Sequence, residues 1–492
     1  MSKRAAEDRD DAQRPGPGQR PAEAVVDDEQ FEDEFEDEYE SEDEIFEAGV
    51  DGRPDDEREA EQAANAMDID KATFLPGRHK LEAGQTLAPD LSTYELLHTL
   101  EPKWPSLSFD IIRDDLGDER KSYPVSLLSV AGTQAASGRE KENELTVMKL
   151  SSLSRNEKAK TFDSDDEDDD QDEDTADDPI LETRSIPLTS TTNRVRVHQT
   201  PQTNSATPPT TLTAAMQESG DVLIHDITPH VTSLNSPSTP LPASAHKPLC
   251  TIRAHKKVEG YALSWSPLAP SGKLLTGDTS GKIFSTTRTE GGGFVTDTTP
   301  FTGHSGSVEE LHWSPNERTV FASASSDGTV KIWDSRSKSK TSAVSVKASS
   351  SDVNVLTWSH LTQHLLASGH DDGSFSVWDL RHWRDTASAA KSKPIAHFDF
   401  HKEQITSLRW HPTDDSILLA CAGDDSLTLW DMAVELDDEE SRYTADVKDV
   451  PPQLLFLHYM EQVKEAHWHP QIPGLVVATG GSGFGVFKTI SV

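Results

Sequence analysis

Four histidines each precede an aromatic residue by 29 positions: His255 and Phe284, His304 and Trp333, His401 and Trp430, His458 and Phe487. Imidazoles that recur with aspartates in this way supply part of a proton relay, as in a hydrolase triad. The set repeats along the chain, however, and no copy carries a nucleophile in an open cleft, so the His–Asp pairs read as structural. His467-Trp468-His469 puts two imidazoles on one face of a strand, which a metal could use, but no third ligand of suitable spacing accompanies them. Gly291-Gly292-Gly293 falls between strands and Gly480-Gly481-Ser482-Gly483 in a turn, so neither opens a helix as a phosphate loop does. The two cysteines, Cys250 and Cys421, form neither a disulfide framework nor a thiolate site, which points to a reducing compartment. The expectation is a protein that is not an enzyme, with no catalytic residues, no metal and no cofactor.

The second chemistry is charge. The chain of 492 residues has a net charge of −40, and most of it is local: residues 1–70 hold 27 acidic and 7 basic side chains, and residues 163–178 hold 12 acidic and no basic ones. Neither tract has apolar periodicity, so both are expected to be disordered. The second, with Asp163, Asp165, Asp166, Glu167, Asp168, Asp169, Asp170, Asp172, Glu173 and Asp174, interrupts a strand pattern. It therefore reads as a tethered polyanion beside a folded platform, able to neutralise a Lys/Arg-rich partner with an attraction that salt screens. Ser41 and Ser164 head acidic runs, the setting of acidophilic kinases, and phosphorylation would add about −1.5 to −2 charges at each. No apolar run approaches the roughly 18 residues of a membrane span, and the N-terminus does not resemble a secretory signal.

The elements that position these groups repeat as well. Trp265-Ser266-Pro267, Trp313-Ser314-Pro315, Trp358-Ser359-His360, Trp410-His411-Pro412 and Trp468-His469-Pro470 each open a unit, and 19 or 20 residues later stand Phe284, Trp333, Trp378, Trp430 and Phe487. Phe321 to Ser325, the turn Ser326-Asp327-Gly328, and Thr329 to Asp334 show strand, tight turn and strand with period-2 alternation. Asn193 to Asp226 echoes a sixth unit, and Tyr123 to Val130 with Leu145 to Leu150 supplies a seventh. The last unit has three strands, and Ser106 to Ile112 is the segment expected to complete it and close the ring. Before the ring, Asp90 reads as an N-cap, with Leu91, Tyr94, Leu96, Leu97 and Leu100 as the apolar stripe of a helix.

Gly303-His304, Trp333-Asp334, Trp378-Asp379 and Trp430-Asp431 at this spacing resemble WD40 repeats, which implies an all-β, seven-bladed β-propeller. The resemblance implies a hydrogen-bonded tetrad of His304, Ser325, Asp327 and Trp333, degraded in the third unit, where Ser349 replaces the His and His370 the Ser. Leu100 to Phe109, with Glu-Pro-Lys-Trp-Pro at its centre, is similar to the leading segment of the histone-binding WD proteins. That likeness implies a groove for a basic amphipathic helix. Its walls would be the N-terminal helix (Leu91, Tyr94, Leu97) and an acidic insertion ending in two prolines (Asp437, Asp438, Glu439, Glu440, Pro451, Pro452, then Leu454 and Phe456). The alternative is that the helix simply packs on the ring. Over its whole length the chain is most similar to the glutamate-rich WD-repeat proteins, on its acidic N-terminal region, Phe74-Leu75-Pro76-Gly77, the acidic loop, and the Thr489-Ile490-Ser491-Val492 end.

The domain reading is an acidic disordered arm over 1–73, a linker and docking helix over 74–103, a propeller over 104–492, and within it acidic insertions over 151–181 and 435–452. The resemblance implies a ribosome biogenesis factor of the nucleus and nucleolus, shuttling with the cytoplasm. It would be a monomeric chaperone and scaffold that carries a newly made basic large-subunit ribosomal protein to pre-ribosomal particles, with no membrane and no direct nucleic-acid contact. A histone chaperone is the first alternative, since the groove and polyanion suit histones equally. The second is a cullin-ligase substrate receptor, through Arg336 and Arg381 in Trp333-Asp334-Ser335-Arg336 and Trp378-Asp379-Leu380-Arg381.

Overall fold

The computed structural model describes Phe74 and residues 87–156, 178–200, 209–383, 385–389, 391–434 and 450–492. Phe74–Val492 forms one compact unit. In it, seven antiparallel sheets of four strands make the blades of a β-propeller. In chain order, blade 1 spans 106–187, blade 2 192–252, blade 3 262–296, blade 4 308–347, blade 5 353–398 and blade 6 405–459. Blade 7 joins Glu465–Trp468, Leu475–Gly480 and Gly483–Thr489 to Tyr94–Leu100 from the other end of the chain.

The segment read as a helix is therefore a strand. Asp90 does accept from the Ser92 amide at 3.0 Å, but it caps a single 3₁₀ turn, Leu91–Thr93. Tyr94–Leu100 then pairs antiparallel with Gly483–Thr489 as the outermost strand of blade 7. Leu96, Leu97 and Leu100 fit both a helical and a period-2 pattern. What decides is the unpaired edge of Gly483–Thr489, whose amides and carbonyls need partners. Ser106–Ile112, expected to close the ring, is instead the inner strand of blade 1. Among the described residues the one helix of more than a turn is Thr228–Asn235, in the connection within blade 2, and no helix is long and apolar enough to cross a membrane.

The tryptophans that open the units bolt neighbouring blades together. The indole N–H of Trp265 donates to the Arg196 carbonyl, that of Trp313 to Ser264, that of Trp410 to Thr357 and that of Trp468 to Arg409, each on the inner strand of the preceding blade. Apolar side chains fill the space between facing sheets, as where Leu275 and Ile283 of blade 3 meet Trp313, Phe321 and Trp333 of blade 4.

Within blades, the hydrogen-bond chain uses a different serine from the one expected. Trp333 Nε1 donates to Ser323 Oγ at 2.8 Å, His304 Nε2 lies 2.6 Å from the same oxygen, and His304 Nδ1 lies 3.0 Å from Asp327. Ser325 instead accepts from the Asp327 amide. Residues 321, 323 and 325 share a face. Because Phe321 pairs directly with Trp333, the diagonal neighbour within reach of the indole is Ser323. Burial alone would raise the Asp327 carboxyl, but hydrogen bonds from His304, Thr329 and the Ser305 amide outweigh it and hold it well below the usual carboxylate range. Blade 5 keeps the chain by another route: Trp378 Nε1 donates to Ser368 Oγ, His370 Nε2 lies 3.0 Å from that oxygen, and His370 Nδ1 meets Ser374 Oγ. In blade 6 an alanine, Ala420, stands ten residues before Trp430, and Thr428 supplies the hydroxyl shared by Trp430 and His401.

Two stability measurements separate these assignments. Ser323→Ala strands a buried indole N–H and imidazole and is expected to cost about 1–3 kcal/mol in denaturant unfolding, with Ser325→Ala costing less. Tyr94→Ala, which empties a site that is 4% exposed, is expected to cost about 3–5 kcal/mol. Leu91→Ala, at 39% exposure, is expected to stay within about 0.5 kcal/mol.

Candidate functional site

Two of the three acidic tracts interrupt the ring on strands beside Tyr94–Leu100. The first, residues 157–177, leaves blade 1 after Asn156, and residues 154–156 run along the outer edge of that strand. Leu97 N donates to Asn156 Oδ1 at 3.3 Å, Asn156 Nδ2 to the Tyr94 carbonyl at 3.2 Å, Asn156 N to the Glu95 carbonyl at 2.9 Å, and His98 Nε2 to the Ser154 carbonyl at 2.9 Å. Asparagine suits this position because one amide satisfies both a free N–H and a free C=O of an edge strand. Glu95 bonds Lys488 at 2.8 Å. Burial would raise its carboxyl, but Lys488, Tyr123 and Arg155 hold it below the ordinary value.

The second tract, residues 435–449, separates Ser426–Asp431 from Leu454–Tyr459 in blade 6, and Gln453 Nε2 donates to the Val434 carbonyl at 3.1 Å, drawing its two ends together. Leu454–Tyr459 faces the closing strand. The Tyr94 ring meets Phe456 edge-on at 5.2 Å, and its hydroxyl lies 2.8 Å from His458 Nδ1. His458 stacks on Phe487 at 4.3 Å. Burial pushes the Tyr94 phenol up and the His458 imidazole down to about 4, so both are neutral at pH 7.

Of the residues expected to wall a groove, Tyr94, Leu97 and Phe456 come together in one apolar cluster with Leu455 and Phe487. Tyr94 is buried there, so it closes the ring rather than lining an open trough. Leu454 packs on the opposite side, into blade 6, while Pro451 is half-buried and Pro452 exposed. Leu91, Tyr459 and Ile490 are exposed, and the Ile490 amide donates to the Thr93 carbonyl. Asp437, Asp438, Glu439, Glu440, the acidic residues of 163–174, and Ser41 and Ser164 lie outside the described residues.

The sequence reading did not find the central channel. The inner strands turn Arg194, Arg196, Arg409, Glu310, Glu465, His312 and His467 towards it. One oxygen of Glu465 lies 2.7 Å from Arg196, 3.2 Å from Arg409 and 3.4 Å from Arg194, and the other accepts from the Phe109 amide at 3.2 Å. Burial opposes this charge, yet the surrounding cations keep Glu465 ionised, well below the ordinary value. A legible signal existed: Glu310 and His312, Arg409, and Glu465 and His467 stand three or one residue before an opening tryptophan. His467 lies 3.2 Å from Glu465, while His469 Nδ1 accepts from the Gln471 and Ile472 amides, so the two imidazoles serve different places. Among the described residues no three His, Cys, Asp or Glu side chains are grouped to hold a metal. Arg336 and Arg381 are exposed, each forked onto its own Asp334 or Asp379.

Comparison with known proteins fits this architecture. A family described as WD domain, G-beta repeat matches residues 296–334, 340–379 and 392–431. A second, described as Histone-binding protein RBBP4 or the corresponding component of the CAF1 complex, matches 84–154, the closing strand and first three strands of blade 1. The chain is 46% identical to Ribosome assembly protein rrb1 of Schizosaccharomyces pombe, over the whole of both chains. It is 38% identical to Glutamate-rich WD repeat-containing protein 1 of Dictyostelium discoideum, over 85% of each. The chain belongs to the glutamate-rich WD-repeat family. A third relative, Protein HEAT STRESS TOLERANT DWD 1 of Arabidopsis thaliana, is 39% identical over 86% of this chain and 92% of its own. In this member of the family, the segment matched by the histone-binding description is the strand that closes the ring.

Three outcomes test the geometry. Glu465→Gln leaves buried guanidinium groups uncompensated and is expected to cost about 3–5 kcal/mol. Asn156→Ala should speed hydrogen exchange at the Leu97 amide more than at the inner strands of blade 7. The His458 imidazole titrates near 4 when folded and 6.5 when unfolded, so from pH 6.5 down to 4 the unfolded chain binds more protons and stability falls; His458→Gln should flatten that slope in melts across the window.

Proposed function

We propose that this protein is a ribosome biogenesis factor. In this reading it is a non-enzymatic chaperone that holds a newly made basic protein of the large subunit and delivers it to pre-ribosomal particles in the nucleolus. The observation that carries the reading is that the 157–177 and 435–449 insertions are rooted on strands that touch the one closing strand. Polyanions tethered to one rim raise the local concentration of a Lys/Arg-rich client, and rigid blades supply the surface on which it is read. The acidic residues from Asp163 to Asp174 and from Asp437 to Glu440 supply charge in this scheme, and phosphorylation at Ser164 adds to it. Leu91, Tyr459 and Ile490 supply exposed apolar contact at the same rim.

Two further readings each have an observation behind them. The match of 84–154 to a histone-binding description favours a histone client. The exposure of Arg336 and Arg381 on consecutive blades favours a ligase-adaptor surface.

Affinity purification from the protein's own cells, at low and moderate salt, separates the three. One ribosomal protein in near-equal amount, lost as salt rises, is the expected outcome; histones, or ligase components released by Arg336→Ala with Arg381→Ala, would replace it. Deleting 163–178 should weaken client binding about tenfold or more at low salt and flatten its salt dependence.

A further inference from the structure

Blades 2 and 3 meet at their outer edges around a cavity of about 540 Å³ that the client-binding reading leaves unused. Its floor is apolar, with Ile252 and Phe284 buried and Phe294 half-buried. Its rim is basic: Arg253, Lys256 and Lys282 line it and are exposed, on a chain whose net charge is −40. The acidic neighbours are occupied. Asp278 is buried against His255 at 2.8 Å, and Asp297 pairs with Lys340 at 3.2 Å. Arg253 reaches Asp221 at 3.7 Å with its side chain 75% exposed. The strands on either side, Cys250–Ile252 and Phe294–Thr296, are the outermost of their sheets, and each carries or adjoins an exposed apolar residue, Leu249 or Val295.

A second, independent feature marks the same place. Lys256 and Lys257, with φ of 52° and 68°, are successive non-glycine residues in the left-handed region. L-residues rarely adopt that conformation, and a pair persists where the surrounding structure imposes it, which is commonest at binding sites. Here the turn is held by the Val258 amide donating to the His255 carbonyl and the Lys256 amide to the Arg253 carbonyl.

We propose that this cavity docks an acidic, extended segment of a partner protein that inserts one or two large apolar side chains. The cations select carboxylates, the aromatic floor takes the apolar anchor, and the outer strands offer backbone groups to an added strand. A nucleic acid fits less well, because the basic residues form a spot flanked by Asp221 and Asp297 rather than a track along which phosphates could run. The client of the preceding section is basic and this occupant acidic, so the two sites would let the ring hold two partners of opposite charge at once.

The test uses the full-length chain and a fluorescein-labelled octapeptide with Leu-Phe at its centre and Asp or Glu at the other six positions. Saturable binding is expected, weakened about tenfold or more by Arg253→Glu with Lys282→Glu, and abolished when Leu-Phe becomes Ala-Ala. Because Cys250 lines the cavity and the other cysteine, Cys421, is fully buried, saturating peptide should also slow maleimide labelling of Cys250. Absence of saturation up to about 1 mM, or affinity indifferent to the double charge reversal, would overturn the proposal. So would an oligouridylate that displaces the peptide and binds more tightly. Unchanged melting of the double variant separates loss of binding from loss of fold.

Discussion

The structure depends on pairing the free edge of Gly483–Thr489. A propeller blade with three strands leaves a row of amides and carbonyls without partners, and those groups either aggregate or find a strand. Tyr94–Leu100 meets that need from the opposite end of the chain. The ring becomes a loop of sheets with no starting blade, and Tyr94 is locked between Phe456 and Phe487. The closing strand is itself an edge, and residues 154–156 cover it.

Recognition follows from where the closure lies. Because the segment that covers the closing strand leads directly into residues 157–177, and the strand that packs on Tyr94 follows residues 435–449, charge is concentrated where the ring is sealed. Insertions are tolerated there because they extend connections and leave the ladders intact. The acidic tracts can then change length or phosphorylation state without disturbing a blade.

Charge inside the ring follows a different rule. Glu465 and the three arginines about it are removed from water, so each needs its counterpart, and their attraction is scarcely screened. The exposed acidic tracts act at long range and yield to salt. One chain thus uses carboxylates in two regimes: paired and structural in the channel, unpaired and available outside.

Repeat spacing, turn residues and period-2 alternation were local signals, so seven blades, the His–Asp pairs and the acidic tracts were legible in the sequence by itself. Three matters were decided only in three dimensions. Leu96, Leu97 and Leu100 satisfy helix and strand patterns alike, and the open edge of a strand some 390 residues away chose between them. Ser323 and Ser325 share one face, and cross-strand register chose the one beside Trp333. The arginines on Glu465 lie on strands distant in the chain, and only the closing of the ring brings them together, because a contact set by circular geometry leaves no periodic trace in any one segment.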